Sequence, residues 1–300
     1  MHLSPLKTKL VGELLFEADS PVHVGSGLPG ARRQLITLPD GSVLIPSSTW
    51  KGSLRSIAEK LVRSMELNGL EKLAVSCYRE KSGGIEYEVG PNVVAEFSKA
   101  LRGEENALKL GKQQVESALA DLGYENKEVR EALKNEKRLK RLASDIIALY
   151  CPIGRLVGNN KVAGKLRLFD TMLRATEIHV RPGVGIDRAT GRAKEDILYF
   201  VESLPRGTLI PLRMIVDNVA QCEADSILLG GVLDWIRRLG LPIGARRSSG
   251  MGQLRLIVEK SKLYLIELGR DENGLALANP FKNAKRMTLD ELISWLSSHR

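Results

Sequence analysis

The nine residues from Gly244 to Gly252 constrain the fold most, because they place three glycines between an apolar helix pattern and an apolar strand pattern. Glycine adopts positive φ at little steric cost and lets the main chain approach a ligand closely, so successive N–H groups can converge on one anion. The same stretch adds cations and hydroxyl donors: Arg246, Arg247, Ser248 and Ser249. Together these groups suit phosphate and sugar oxygens. The alternative is an ordinary glycine-rich turn whose arginines are solvated.

The overall charge of the chain favours a polyanionic partner. The 300 residues carry a formal net charge of +9, which points toward nucleic acid or another polyanion but says nothing about the fold. At 43% hydrophobic residues, the chain can bury a large core in one elaborated domain or two small ones. Phe, Tyr and Trp make up only 5% of the residues, so contacts to a nucleic-acid backbone should outweigh bases stacked on aromatic rings.

The cysteines and the apolar runs limit the class of protein. Cys77, Cys151 and Cys222 are odd in number and far apart, which argues against a disulfide framework and against a cysteine zinc site. No apolar run approaches the length of a membrane span, and residues 1–8 lack the apolar segment of a signal peptide. We therefore expect a cytoplasmic protein in a reducing compartment, without a membrane partner.

His23 follows the first predicted strand, residues 9–18, whose alternating pattern indicates one well-buried face. It is a candidate general base or RNA contact of a nuclease. Alternatively, it hydrogen-bonds the neighbouring loop and holds its shape. No second histidine or carboxylate cluster completes a catalytic arrangement, which favours the structural or contact role. The basic residues after position 27 then form a loop that a tight turn at 39–41 closes.

A helix is predicted from residue 47, where three hydroxyl residues are N-cap candidates and apolar residues recur at helical spacing. Lys51 and Arg55 lie four residues apart on one face of its first turns. Because the N-terminal end of a helix dipole is positive, this arrangement binds phosphate. The alternative is an ordinary solvated face.

The middle of the chain differs in character from the rest. Two charged helical patterns, 104–122 and 126–150, indicate a helical insertion, and the basic cluster at 134–141 is interleaved with acids as in a solvated amphipathic helix. After it, strands are predicted at 165–170 and 209–217 and a helix from residue 225. A capping box at 288–291 predicts a final helix.

Residues 179–195 predict an extended hairpin with Thr190 and Gly191 near its tip. Its cations, which include Arg181 and Arg188, make it a candidate arm that reaches toward a nucleic acid or an adjacent subunit. The alternative is a surface loop without function, although ordered loops of this length are uncommon unless they have a role.

Four motifs carry a resemblance to a known family. They are PVHVGSG at 21–27, IPSSTWKGSLR at 45–55, RPGVGIDR at 181–188 and GARRSSGMG at 244–252. In this order and spacing, the chain resembles the RAMP superfamily of CRISPR-associated proteins, and within it the backbone subunits of type III effector complexes of antiviral defence. The resemblance does not extend to the helical insertion, and it covers the residues after about 268 only weakly.

The resemblance implies an α+β fold, with a ferredoxin-like (RRM-type) antiparallel sheet core, a helical insertion and a protruding β-hairpin thumb. Residues 1–66 would be the first part of the core with the glycine/basic loop, and 67–150 the helical insertion. Residues 151–268 would be the remainder of the core, with the thumb at about 178–196 and the glycine-rich loop at 244–252. Residues 269–300 would be a C-terminal extension with a helix.

Such subunits polymerise along a guide RNA. The implied partners are CRISPR guide RNA and target RNA, other RAMP-type effector subunits and a large subunit. The family grips the guide through phosphate and sugar contacts, and its thumb interrupts the guide–target duplex. Carried over motif by motif, the RNA-binding residues are His23, Ser48, Lys51, Arg55, Arg181, Arg188, Arg246, Arg247, Ser248 and Ser249.

Target-cleaving members resemble this chain but carry an aspartate, needed for metal-dependent cutting, in the loop between the His-Val-Gly turn and the Ile-Pro segment. That position falls near Ala31 or Arg32, and an arginine cannot ligate magnesium. We therefore predict a scaffold subunit that binds RNA without cutting it and needs no cofactor. Two alternatives stay open: a Mg²⁺-dependent endoribonuclease that uses Asp40 or Asp187, and a guide-processing ribonuclease that uses His23.

Overall fold

The computed structural model of the protein describes residues 6–27, 32–81, 84–174, 177–268 and 284–298. These residues form a mixed α+β arrangement. The strands are β1 (Thr8–Ala18), β2 (Arg32–Arg33), β3 (Val43–Ile45), β4 (Tyr78–Lys81), β5 (Gly84–Tyr87), β6 (Leu166–Leu168), β7 (Thr171–Leu173), β8 (His179–Ile186), β9 (Ala193–Ser203), β10 (Leu209–Asp217), β11 (Leu241–Pro242), β12 (Gln253–Leu256), β13 (Lys262–Glu267) and β14 (Ala284–Met287). The helices are α1 (Ser47–Val62), α2 (Gly69–Cys77), α3 (Pro91–Arg102), α4 (Lys112–Asp121), α5 (Asn126–Ala132), α6 (Glu136–Tyr150), α7 (Pro152–Val157), α8 (Ala224–Leu239) and α9 (Leu289–Ser297). Across these described segments, no helix has both the length and the apolar character needed to cross a membrane.

Strand β1 lies at the centre of a seven-stranded antiparallel sheet. One of its edges pairs with β10, from Lys9↔Asp217 to Glu17↔Leu209. Its other edge is shared by β13, beside Thr8–Glu13, and β12, beside Phe16–Ala18. Strands β6, β11 and β14 extend the sheet beyond β10, β12 and β13, respectively. The strands predicted over 9–18 and 209–217 are confirmed, and the one at 165–170 is confirmed in a shorter form.

One face of this sheet forms the core beneath α1 and α8. The side chains of Leu14 and Phe16 point to this face and are at most 1% exposed. Leu14 meets residues of α1, α7 and α8 around a small apolar void. The ring of Phe16 stacks on Trp50 of α1, with ring centroids 5.8 Å apart. Full burial of each such side chain stabilises the fold by roughly 1.5–3 kcal/mol, so the alternating pattern of β1 accounts for its central position.

The region between 67 and 150 holds five helices, α2 to α6, and the β4–β5 hairpin. The prediction of a helix over 104–122 is wrong at the N-terminal end. Helix α4 begins only at Lys112, because the side chain of Asn106 bonds the backbone of Leu110 and offers that segment an alternative to helix. The helix predicted over 126–150 is two helices, since the side chain of Asn135 accepts two backbone N–H bonds and starts α6 anew. Helices α2 and α3 were not predicted from the sequence.

The predicted N-caps can be compared with the structure at the starts of two helices, α9 and α1. Thr288 caps α9 and forms the predicted capping box with Glu291. At α1 the prediction was wrong, because the N-cap position is Pro46 and the three hydroxyl residues lie inside the first turn. Oδ1 of Asp170, between β6 and β7, instead accepts the N–H of Ser47 at 2.6 Å. The cap of α1 therefore comes from a distant part of the chain.

Candidate functional site

The glycine-rich loop, residues 244–252, has the backbone conformation that its glycines permit. All three glycines have positive φ, and Arg246 shares this left-handed conformation with φ of 60°. A short 3₁₀ turn, Arg247–Ser249, lies in the middle of the loop. At Gly244 an added Cβ would overlap the backbone oxygen of His23. The glycine there is required because two stretches of main chain touch.

The loop is fastened to the turn that follows β1. The N–H of Ala245 donates to the carbonyl oxygen of His23 at 2.9 Å, and the N–H of Gly252 donates to that of Pro21 at 2.8 Å. Three side chains between these two anchors are exposed: Arg247, Ser248 and Ser249. One cation and two hydroxyls are thus presented to solvent from a backbone that is held at both ends.

His23 is buried, with only 5% of its surface exposed. Its Nδ1 lies 2.7 Å from the backbone carbonyl oxygen of Glu202, which can only accept, so Nδ1 carries the proton and donates it. Its Nε2 faces Gly25, where a Cβ would lie 2.7 Å away. The ring therefore joins the turn after β1 to strand β9. Of the two roles considered for this histidine, the geometry supports the structural one.

The carboxylate of Glu202 holds the next segment of chain to the same strand. Its Oε1 accepts Nε of Arg32 at 2.8 Å, and its Oε2 accepts the N–H of Leu35 at 3.0 Å. Strand β2, which contains Arg32, also pairs in parallel with β9. Arg32 therefore has a structural partner, whereas Ala31 lies outside the described residues.

Strands β8 and β9 form an extended antiparallel hairpin. Oδ1 of Asp187 closes its turn by accepting the N–H groups of Ala189 at 2.8 Å and Thr190 at 3.1 Å. The Thr190 and Ala189 bonds hold the pKa of the Asp187 carboxyl below its usual value. Arg188 is exposed at the tip, and Arg181 is exposed along β8.

Arg246 connects the glycine-rich loop to this hairpin. Its Cζ lies 4.5 Å from the ring centroid of Tyr199, and its Nη1 donates to the Tyr199 hydroxyl at 3.1 Å. Gly183, the cross-strand partner of Tyr199, makes room for the ring, because a Cβ there would overlap it. Arg246 and Arg247 are adjacent in the sequence, but their guanidinium groups have different surroundings.

A second set of predicted residues lines an open groove of about 510 Å³. Ser48 and Lys51 contribute from α1, opposite β6 and the residue that follows it, Phe169. Burial and the nearby charge of Arg55 lower the pKa of Lys51. Arg55 itself is directed elsewhere, since its Nη2 donates to the carbonyl oxygen of Gly158 at 2.7 Å and ties α1 to the end of α7.

Asp40 lies in the turn before β3, where its Oδ1 accepts the N–H of Ser42 at 3.0 Å. This bond holds the pKa of the exposed Asp40 carboxyl below its usual value. Within the part of the chain that the structure describes, no three His, Cys, Asp or Glu side chains are grouped so that they could hold a metal ion. A magnesium ion at Asp40 or Asp187 would need water and phosphate oxygens to complete its coordination.

Three contact residues escaped the sequence analysis: Tyr199, Glu202 and Phe169. Glu202 had a local signal, because an acid that directly follows the apolar run 197–201 needs a partner where the strand is buried. Tyr199 had no local signal in the sequence, since an aromatic residue is common in any strand. Phe169 ends the alternating strand pattern, yet 43% of its surface is exposed, and Cζ of Arg213 lies 5.7 Å from its ring centroid.

Comparison with known families agrees with the four motifs. A family model described as the RAMP superfamily matches residues 15–255. The matched residues include the His23 turn, α1, the β8–β9 hairpin and the glycine-rich loop. No curated protein matches the sequence. Because the family match covers well over half of the chain, the protein belongs to the RAMP superfamily of CRISPR-associated proteins.

Proposed function

We propose that the protein is a non-catalytic scaffold subunit that binds guide RNA in a type III effector complex. The glycine-rich loop is the observation that carries this proposal. Its backbone is anchored to the turn after β1, and it exposes Arg247, Ser248 and Ser249 side by side. Such groups bond phosphate and sugar oxygens without reading the base, as a subunit that accepts any guide sequence requires. Membership in the RAMP superfamily supports RNA as the polyanion.

In this proposal the central sheet with α1 and α8 is a ferredoxin-like core, formed by residues 1–66 and 151–268. The β8–β9 hairpin is the thumb, which presents Arg181 and Arg188 toward the guide–target duplex. Residues 67–150 are an insertion and 269–300 an extension. The partners are guide and target RNA, neighbouring RAMP-type subunits and a large subunit, in the cytoplasm. The contact between Arg246 and Tyr199 supports a thumb that is positioned by the RNA-binding loop.

The non-catalytic part of the proposal depends on Arg32. By position in the sequence, the aspartate of the cleaving relatives corresponds to Ala31 or Arg32, and the guanidinium of Arg32 is bonded to Glu202 and cannot ligate a metal. His23 is buried, which disfavours its use as a general base on bound RNA. Asp40 is exposed and readily ionised, so it remains the candidate ligand if the subunit cuts RNA with Mg²⁺.

The test measures binding and cleavage of labelled single-stranded RNA by the full chain over a salt series, with Mg²⁺ or with chelator. We expect intact RNA. Arg247→Ala should weaken binding and lower the slope of log affinity against log salt by about 1, because one phosphate contact is lost. The matched control is Arg286→Ala, which removes an exposed charge in β14, the strand that pairs with β13.

Equal losses in the two arginine variants would contradict a binding site at the glycine-rich loop. Mg²⁺-dependent cuts that Asp40→Ala or Asp187→Ala abolishes would establish the endoribonuclease instead. Cuts in chelator that require His23 would establish guide processing.

A further inference from the structure

Phe169 is an exposed aromatic ring on a fixed backbone. The largest aromatic side chains of the core, Trp50, Phe16 and Phe97, are at most 1% exposed, whereas Phe169 is 43% exposed. Its N–H donates to the carbonyl oxygen of Arg213 at 3.1 Å, which holds this position to β10. Because the backbone here is already fixed, only the side-chain torsions of the ring are restricted when a flat ligand stacks on it.

The ring lines the same groove as Lys51 and Ser48. The groove volume of about 510 Å³ lies within the range of about 300–1,000 Å³ that is typical of small-ligand sites. It combines an apolar, aromatic wall with a cation and a hydroxyl. A nucleotide has the matching parts, a flat base and an anionic phosphate.

The charges around the groove indicate where the anionic part would bind. Asp170 already accepts the first N–H of α1, and its negative charge disfavours a phosphate at the helix end. Arg167 is ion-paired with Asp217. Lys51 is half-buried and has no ion-pair partner among the described residues, so its ammonium group is the cation that an anion would neutralise. Burial without a counter-ion is unfavourable for an ammonium group, and a bound phosphate would relieve it.

We propose that this groove binds one nucleotide of a single-stranded RNA, with its base stacked on Phe169 and its phosphate against Lys51 and Ser48. The inference rests on the proposed RNA-binding function and adds a stacking position that none of the four motifs contains. Arg213, over the same ring, adds a second cation near the bound base. A single stacked base leaves the backbone contacts dominant, in keeping with the low aromatic content.

The test uses a short RNA that contains 2-aminopurine, whose fluorescence falls when the base stacks. With the unmodified full chain we expect saturable quenching. Phe169→Ala should lower affinity by roughly 10-fold and remove the quenching, without changing the salt slope. Phe169→Trp should retain both the affinity and the quenching, because an aromatic ring remains. Lys51→Ala should lower the salt slope by about 1. The control is Leu239→Ala, which truncates another exposed apolar side chain, 58% exposed, at the end of α8.

Three outcomes would overturn the inference. If the unmodified protein binds RNA and Phe169→Ala binds it equally well with the same quenching, stacking is excluded and the proposed function stands. If Phe169→Ala changes self-association in sedimentation but leaves RNA affinity unchanged, the groove is a protein interface. If the unmodified protein binds no RNA, the proposed function and this inference fail together.

Discussion

At the residue scale, the glycines of the glycine-rich loop are required for different reasons. Gly244 and Gly250 have nearly the same φ, 73° and 76°. A Cβ at Gly244 would overlap the backbone oxygen of His23, whereas nothing lies within 4 Å of a Cβ at Gly250. Conformation alone accounts for the second glycine, while close contact between two stretches of main chain accounts for the first.

This pair predicts a difference between two identical substitutions. Gly250→Ala should lower the free energy of unfolding by about 1–2 kcal/mol, the cost of a left-handed residue with a Cβ. Gly244→Ala should lower it further and also weaken RNA binding, because the loop must move away from the His23 turn. Urea unfolding and RNA titration of both variants test this. Equal losses of stability would show that the main-chain contact at Gly244 is unimportant.

At the scale of elements, the glycine-rich loop and the β8–β9 hairpin are one unit. Their connection is the stack of Arg246 on Tyr199, which in turn lies over Gly183. Because β9 also holds His23 and Arg32 through Glu202, three separate loops are organised around this one strand. A substitution in the hairpin should therefore change the stability of the glycine-rich loop.

A double-mutant cycle tests that connection. We expect Arg246→Ala and Tyr199→Ala to show a coupling energy of about 0.5–1 kcal/mol in urea unfolding, the size of a partly exposed cation–π contact. Tyr199→Phe should keep most of it, because the ring remains. The matched cycle with Arg247→Ala should give no coupling. The same coupling energy with Tyr199 for both arginines would mean that the stack of Arg246 on Tyr199 does not stabilise the fold.

At the scale of the whole molecule, one cluster of charges joins the helical region to the core. Arg155 of α7 and Lys165, just before β6, both contact Asp225 at the start of α8, at 3.0 Å and 2.7 Å. Both also pair with Glu223, and Arg155 lies 3.9 Å from Glu71 of α2. Asp225 is only 1% exposed, and a buried carboxylate is tolerated because two cations face it.

This cluster predicts acid sensitivity. Burial alone would raise the pKa of Glu223, but Lys165 and Arg155 outweigh it and hold the pKa below 4.5. The stabilisation is therefore present above pH 4.5 and is lost as the pH falls through the folded-state pKa. Glu223→Gln should lower the free energy of unfolding by roughly 0.5–1 kcal/mol at neutral pH, a figure reduced for partial exposure. This difference from the unmodified protein should shrink in acid.

Urea unfolding at several pH values checks this prediction, with Glu116→Gln as the control. Glu116 lies on α4, 3.9 Å from Lys112 in an exposed pair, and its replacement should have little effect at any pH. A Glu223→Gln deficit that grows as the pH falls would contradict the sign of the pKa shift.

Much of the fold could be predicted from sequence where one element carries a complete burial pattern. Strands β1 and β10 and helix α8 were predicted in this way, because each buries one continuous face and the period of its apolar residues shows it. The helical region was predicted less well. Its helix boundaries depend on single polar side chains such as Asn106 and Asn135, which compete locally for backbone hydrogen bonds.

The sequence by itself determined the family motifs, their order, the basic character of the chain and the cations and hydroxyls of the glycine-rich loop. Only the tertiary structure decided that Arg246 stacks on Tyr199, that Asp170 caps α1 and that Glu202 binds Arg32. These partners are separated by 47, 123 and 170 residues, respectively. Local propensity depends on neighbours within a few positions, whereas the direction of a side chain toward a distant partner is fixed only when sheet, helices and hairpin pack together.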